Sequence, residues 1–355
     1  MSNIDFKKLG DYVKIRTGKL DANASSEDGS YPFFTCSIEP LKISSYSYDC
    51  ECCLVAGNGD LNVKYYNGKF DAYQRTYIIE SLNKEKLDVM YLYFFLSSYI
   101  EVLRKQSIGG VIKYIKLGNL TDALIPIPPL GKQKEICRNL IQSQKVLTTN
   151  QKLLSKYDIL IKSRFIEMFG DPDTNPKKWE VKTLNEVCRK ITDGKHGGCK
   201  LDDKSDYYYV GAREIFDLSI HYETAQKITK EDFEKDYKRC NLEIGDFCIV
   251  NTGATIGKTA IAKDEKTTHT LLQKSVALLK VKPEEIIPLY LQYSYITNES
   301  MYKVESASAQ PNLLLSKIKE TKLMIPPLEL QNDFAAFVQQ IDKSKFEYTN
   351  IGVAA

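Results

Sequence analysis

The chain has 355 residues, 43% of them hydrophobic, and 49 Lys and Arg against 46 Asp and Glu leave a formal net charge of +3. That length and apolar content suit two cored domains plus connectors, and the charge by itself announces no nucleic acid. The polar start MSNIDFKKLG is not that of a secretory signal, no apolar run is long enough for a bilayer, and nine scattered cysteines suit free thiols in a reducing cytoplasm.

Ile4 to Ile15 predicts an amphipathic turn or strand, and the Ser-, Asn- and Asp-rich Asp21 to Ser30 an exposed loop. Tyr31 to Val55 is strand-rich, and Gly57-Asn58-Gly59-Asp60 is a turn signal between apolar runs. Asn62, Lys64, Tyr65, Lys69, Gln74 and Arg75 then place amide, cationic and aromatic groups on short β elements. Asn and Gln can pair with adenine edges, Arg and Lys with guanine, and Lys with phosphate. The same residues also fit an ordinary hairpin with a solvated face. A helix follows near Asp88 to Gln106. Ser107 to Lys113, with Gly109-Gly110 inside it, makes a tight loop able to approach a phosphate.

Lys132 to Phe169 reads as one helix without Pro, bounded by Gly131 and Gly170. Its apolar seam steps through Ile136, Leu140, Leu147, Leu154, Tyr157 and Ile161, with Ser143, Asn150, Arg164 and Met168 completing the heptad spacing. Such a helix would be roughly 55 Å long. A narrow seam asks for a partner helix, although a core-facing helix of one large domain has a similar pattern. Residues 131–178 carry 10 basic and 5 acidic side chains, against 15 and 15 before them and 24 and 26 after them. The connector is the basic part.

Beyond the connector the plan repeats. Trp179 to Lys195 reopens the pattern of Ile4 to Lys19, pairing Leu9 with Leu184, Asp11 with Glu186 and Thr17 with Thr192. The close repeats too: Pro128, Pro129, Leu130 and Gln133 match Pro326, Pro327, Leu328 and Gln331. Each Pro-Pro follows an aromatic helical stretch, Asp88 to Leu103 in one half and Pro288 to Tyr302 in the other. Two divergent copies at this long period are a tandem duplication, not a solenoid. The second copy offers Lys195, His196 and Arg213 around Tyr207 to Tyr209, then Thr252 and Lys258 in the loop Asn251 to Thr259, then Gln310 and Asn312 in Ser306 to Asn312. A last helix runs from Glu329 to about Tyr348 with seam residues Phe334, Val338, Ile341 and Tyr348.

Three catalytic look-alikes are weak. Gly253 to Thr259 has three residues between its glycines where a P-loop needs four. Asp173, Glu180 and Lys182 could imitate a metal-dependent nuclease, but Asp5 and Lys7 match the last two within the repeated opening. Cys50 and Cys53 have half a zinc spacing with no second pair at a fitting distance.

Two halves each ending PPL with a Gln three residues on, joined by a helix that closes Met168-Phe169-Gly170-Asp171-Pro172, resemble the DNA-specificity subunit of Type I restriction–modification systems. The segment FIEMFGDPDTNPKKWEVKTL (Phe165 to Leu184) resembles that family's junction into its second recognition domain. The resemblance covers essentially the whole chain. It implies an α+β fold: two tandem target recognition domains, each a mixed β-sheet with helices, separated by long antiparallel coiled-coil helices. The expected boundaries are 1–130 and 171–328 for the recognition domains, 131–170 and 329–350 for the helices, and 351–355 for a tail.

The resemblance further implies binding of double-stranded DNA at a split site, one half per domain, with no catalysis and no cofactor in this chain. Two methyltransferase subunits would bring S-adenosylmethionine, and restriction/translocase subunits ATP and Mg. The helices would measure the unread spacer and dock the methyltransferases. A second helix shorter than the first departs from the family pattern and implies an asymmetric separator or a weakened docking site. Two other classes stay open: a stand-alone metal-dependent nuclease, and a scaffold or decoy that binds no DNA.

Overall fold

The structure, a computed structural model, describes residues 6–303 and 312–353, with side chains to Phe346 at the C-terminal end. The chain divides into two compact units, 1–148 and 149–355. In the first, the strands are β1 (Phe6–Lys8), β2 (Val13–Thr17), β3 (Tyr31–Phe34), β4 (Leu41–Ile43), β5 (Tyr48–Ala56), β6 (Val63–Ala72), β7 (Thr76–Ser81) and β8 (Leu124–Pro126). The helices are α1 (Val89–Gln106), α2 (Leu117–Thr121) and the start of α3 (Leu130–Phe169). Strands β2-β7-β5-β6-β3-β4 form one six-stranded sheet, and β1 pairs with β8.

The apolar run Cys52 to Ala56 explains why β5 lies inside that sheet, since a central strand is covered on both faces. Helix α1 starts where the Asp88 carboxylate accepts the N–H groups of Met90 (2.9 Å) and Tyr91 (3.0 Å), a side-chain N-cap. Its residues Val89, Leu92, Leu96, Ile100 and Leu103 step by three and four into the core formed with Cys53, Val55 and Ile79.

The second unit holds β9 (Glu180–Thr183), α4 (Leu184–Val187), β10 (Cys188–Asp193), β11 (Tyr207–Val210), β12 (Ile215–Phe216), β13 (Ser219–Ile220) and β14 (Gln226–Ile228). Then come α5 (Lys230–Cys240), β15 (Phe247–Val250), β16 (Thr259–Ile261), β17 (Thr270–Leu272), β18 (Val276–Val281), α6 (Pro288–Thr297), α7 (Leu315–Glu320), β19 (Lys322–Ile325) and α8 (Leu328–Val353). The strand order β10-β18-β15-β16 with β17-β11-β14 repeats that of the first unit. The counterpart of β6 is split into β16 and β17 by the segment around Glu265–His269, and the second unit adds the β12–β13 pair and α5.

The duplication extends to single hydrogen bonds. The Gln133 side chain accepts the Asp88 N–H (2.9 Å) and donates to the carbonyls of Lys86 and Pro128 (2.8 Å each). Gln331 accepts the Ile287 N–H (3.0 Å) and donates to the carbonyls of Glu285 (3.2 Å) and Pro326 (2.8 Å). Both glutamines are fully buried. Tyr91 and Tyr290 likewise donate to the carbonyls of Pro126 (3.0 Å) and Met324 (2.9 Å). Each PPL–Gln motif thus ties the start of a long helix to the start of the aromatic helix. Replacing either glutamine with alanine is expected to cost about 2–3 kcal/mol, because buried backbone groups lose their partners; urea denaturation reads the cost, and a loss below about 0.5 kcal/mol would contradict it.

Helix α3 spans the expected stretch and begins two residues earlier. Gly170, at φ +85°, ends it in the left-handed conformation, with its N–H on the Ile166 carbonyl at 2.8 Å. The Lys177 ammonium caps the carbonyls of Glu167 and Met168, and the Trp179 indole caps that of Phe169 (2.8 Å).

The seam differs from strict heptad spacing. Ile136, Leu154 and Tyr157 are half-buried and Ile161 is buried, while Leu140 and Leu147 are exposed. Beyond Ile161 the buried residues are Phe165 and Phe169 rather than Arg164 and Met168. A straight helix at 3.6 residues per turn drifts about 20° per heptad, which rotates these phenylalanines inward.

Helix α8 runs antiparallel to the last turns of α3. Phe334 meets Phe165 and Phe169 (ring centroids 5.4 and 5.6 Å), and Lys345 pairs with Asp158 at 2.6 Å. Phe334 and Val338 are buried and Ile341 half-buried; the Tyr348 side chain lies outside the described residues. The helix continues to Val353, past the expected end near Tyr348. No described helix is long and apolar enough to cross a membrane.

Candidate nucleic-acid interface

In the first unit, four loops meet at one end of the sheet. The Gly57 N–H donates to the Arg75 carbonyl (2.8 Å), the Gly59 N–H to Lys113 (2.9 Å), the Ile115 N–H to Gly57 (2.9 Å) and the Tyr73 N–H to Phe34 (2.9 Å). In the second unit the same frame recurs. The Asn251 N–H donates to Ser275 (3.0 Å), the Leu313 N–H to Asn251 (2.7 Å) and the Gln273 N–H to Val210 (2.8 Å). The isolated bridge Asn58–Tyr114 has its counterpart in Thr252–Asn312. One scaffold therefore presents equivalent loops with different side chains, and this is the geometry a two-part reading surface needs.

Gly18 and Gly194 show why the frame tolerates little change at its base. A Cβ on Gly18 would lie 2.1 Å from the Ala72 carbonyl oxygen, and one on Gly194 2.2 Å from that of Leu272. Backbone crosses backbone there, which only glycine permits.

Within the first unit, Gln74, Arg75 and Lys113 are exposed at the meeting loops, with the Gln74 amide on Asp21 at 2.8 Å. Asn62 works inward: its amide donates to the carbonyls of Cys36 (2.8 Å) and Asp60 (3.0 Å) and accepts from Lys64 (2.5 Å). Burial pulls the Lys64 pKa below the ordinary lysine value. Tyr65 faces α1, donating to Glu51 at 2.8 Å; burial and then that hydrogen bond push its pKa up to about 12. Lys69 is exposed, with its ammonium 4.7 Å from the Tyr46 ring centroid.

In the second unit, His196, Thr252 and Asn312 line one cleft of about 390 Å³ together with Asp193, Asn251 and Lys274. The Thr252 hydroxyl lies 3.2 Å from the Asn312 amide oxygen and 3.4 Å from that of Asn251. His196 sits 2.9 Å from Asp193, which Arg239 also holds. Burial opposes the Asp193 charge, but hydrogen bonds from Arg239 and His196 outweigh it and keep the pKa below the usual aspartate value.

Lys195 is largely buried and ion-paired with Asp236. Arg213 is exposed beside the turn at Ser275, whose hydroxyl accepts the Ala212 N–H at 3.2 Å. Lys258 lies apart from these, in a separate cleft of about 810 Å³ with Asp158, Lys162, Gln292 and Asp342. Gln310 lies outside the described residues. Sequence reasoning missed Lys274, Asn251, Asp193 and Arg239. The one available signal for Lys274 was the repeat itself, since Gln74 and Lys274 stand at equivalent turn positions, with N–H groups on the carbonyls of Leu20 and Lys195 (2.9 Å each).

The catalytic look-alikes have structural jobs. Lys182 pairs with Glu285 at 2.7 Å and lies 3.6 Å from Glu180, and Asp173 accepts from Ser300 at 3.3 Å. The glycine-rich loop is a hairpin turn closed by Gly257 N–H to Val250 (3.0 Å) and Val250 N–H to Lys258 (2.8 Å), and strand β16 follows it. Cys53 packs in the core under α1 while Cys50 borders the aromatic cluster of Phe34, Tyr48 and Phe70, so the two thiols belong to different packing environments. Among the described residues no group of three or more His, Cys, Asp or Glu could hold a metal.

A family model described as Type I restriction modification DNA specificity domain matches residues 1–156 and again 176–353. The chain is 41% identical over 139 residues to the specificity subunit of the Type I restriction enzyme EcoDI of Escherichia coli, a stretch that is 39% of this chain and 31% of that protein. It is 23% identical over 366 residues to the MjaVIII specificity subunit of Methanocaldococcus jannaschii, covering 94% of this chain and 85% of that one. The match thus spans under a third of the EcoDI subunit's own length. The crystal structure of a Type-I restriction-modification system S subunit from M. genitalium aligns at TM-score 0.65 and 16% identity, covering 100% of this chain and 94% of that one. At that identity the likeness is one of fold.

Proposed function

We infer the function from the family: the chain belongs to the Type I restriction modification DNA specificity family. On that premise it is the non-catalytic DNA-reading subunit of a Type I restriction–modification complex. Each unit reads one half of a split site in double-stranded DNA, and the long helix fixes the unread spacer, as half-site spacing follows geometry in other DNA binders. Two methyltransferase subunits dock on the helices and carry S-adenosylmethionine; restriction and translocase subunits carry ATP and Mg. The complex works in the cytoplasm.

The observation that carries this reading is the pair of equivalent loop sets, built on matching backbone bonds and bearing different polar side chains. A pure scaffold has no need for that pairing. The DNA-facing set that this geometry favours is Gln74, Arg75 and Lys113 in the first unit and His196, Arg213, Thr252, Asn312 and Lys274 in the second. Asn62, Tyr65 and Lys195 shape the loops from behind.

The test is methylome sequencing of cells expressing this chain with its cognate modification subunit, against cells lacking the chain. A split motif with methyl-adenine in both halves is the expected result. Unchanged methylation with an assembled complex would sink the reading.

A further inference from the structure

The loop after α1 carries an apolar tip where turn chemistry favours polar residues. It reads Ile108-Gly109-Gly110-Val111-Ile112-Lys113, and Val111 is fully exposed while Ile112 is 62% exposed. Loop tips of this kind normally hold Asn, Asp, Ser or Gly.

This tip is built, not loose. The Ile108 and Tyr114 backbones exchange both hydrogen bonds (3.0 and 2.9 Å), closing a five-residue finger. Gly109 stands at φ +118°, and a Cβ there would come 2.6 Å from the Ile112 carbonyl oxygen, so the turn depends on glycine. The finger is pinned to the reading loops by the Gly59 N–H on the Lys113 carbonyl and by the Asn58–Tyr114 bridge. Lys113 belongs to the finger, and Gly57 links its base to the next loop, accepting the Ile115 N–H and donating to the Arg75 carbonyl.

We propose that Val111 and Ile112 form a wedge that enters a base step of the DNA read by the first unit and kinks it there. The inference rests on the DNA-reading role above. Apolar side chains inserted between base pairs unstack them and bend the duplex by about 20–90°. β-branched side chains suit the task because they have little rotamer freedom to lose. The closed finger holds them in place before contact, and Lys113 beside them can meet the phosphate across the opened step. A distorted duplex also serves a partner enzyme that must take an adenine out of the stack.

The test uses the assembled methyltransferase complex and a duplex carrying its methylome motif, with dyes at the two ends to read the bend by energy transfer. The Val111→Ser/Ile112→Ser double variant removes the wedge and touches no core. It is expected to keep its thermal stability and its motif, and to bend the DNA less, by about 20° at least. Val111→Leu/Ile112→Leu keeps the apolar tip and is expected to retain the bend. An unchanged bend in the serine variant overturns the wedge, as does equal loss of bend in the leucine variant. Salt-dependent binding of the motif without any bend overturns the wedge alone; a complex that binds no motif overturns the reading role and the wedge with it.

Discussion

Phe165→Ala is expected to destabilise the second unit by about 3–5 kcal/mol, among the largest effects of any single substitution in this chain. Phe165 is fully buried and sits where three helices meet: its ring lies 4.9 Å from Phe169, 5.5 Å from Tyr290 on α6 and 5.4 Å from Phe334 on α8. Truncation loses the transfer energy of the ring and leaves a cavity that three separate elements cannot easily close. The single tryptophan reports on this region, since Trp179 bonds the end of the same helix. Its fluorescence in a urea titration should show the midpoint fall sharply. Ile159→Ala, at 64% exposure on the same helix, is the control and should cost under about 0.5 kcal/mol. A Phe165 effect below about 1 kcal/mol would show that the helix end is not anchored as described.

That anchor was half-legible in the sequence. The unbroken stretch after Pro129 and the glycine at 170 mark a long helix, and the structure has it. The heptad rule found Ile161 but then chose Arg164 and Met168 over the two phenylalanines, because a fixed 3.5 repeat ignores the slow rotation of a straight helix. The repeated PPL–Gln motif was visible as a match, yet the reason for it was not. Gln133 and Gln331 are kept because each satisfies backbone groups far away in sequence. The side-chain types expected at a DNA surface were present, but type does not fix direction. Lys195 carries the right charge and spends it on Asp236, while Lys274 escaped notice between two buried strands. Its position in the cleft depends on the bridge from Lys195 to Gln273, a long-range pairing that local pattern does not encode.

Inserting seven residues between Leu140 and Ile141 is expected to lengthen the unread spacer of the methylation motif by about three base pairs (about 10.5 Å of helix rise against about 3.4 Å per base pair) while leaving both half-sites unchanged. The position is chosen for what it spares. Leu140 and Ile141 on either side of it are exposed, and among the described residues α8 meets α3 further on, at Asp158, Phe165 and Phe169. The length is chosen for phase: seven residues fall only about 20° short of two full turns, so the faces beyond the insertion keep nearly their original direction. An insertion of two residues adds little length but rotates everything beyond it by about 200°, and should abolish the split motif. The pair separates two roles for the helix. If it measures the spacer, the long insertion yields a longer motif and the short one yields none. If the helix serves only to dock partner subunits, the seven-residue variant methylates the original motif with its original spacer, and the ruler reading is wrong.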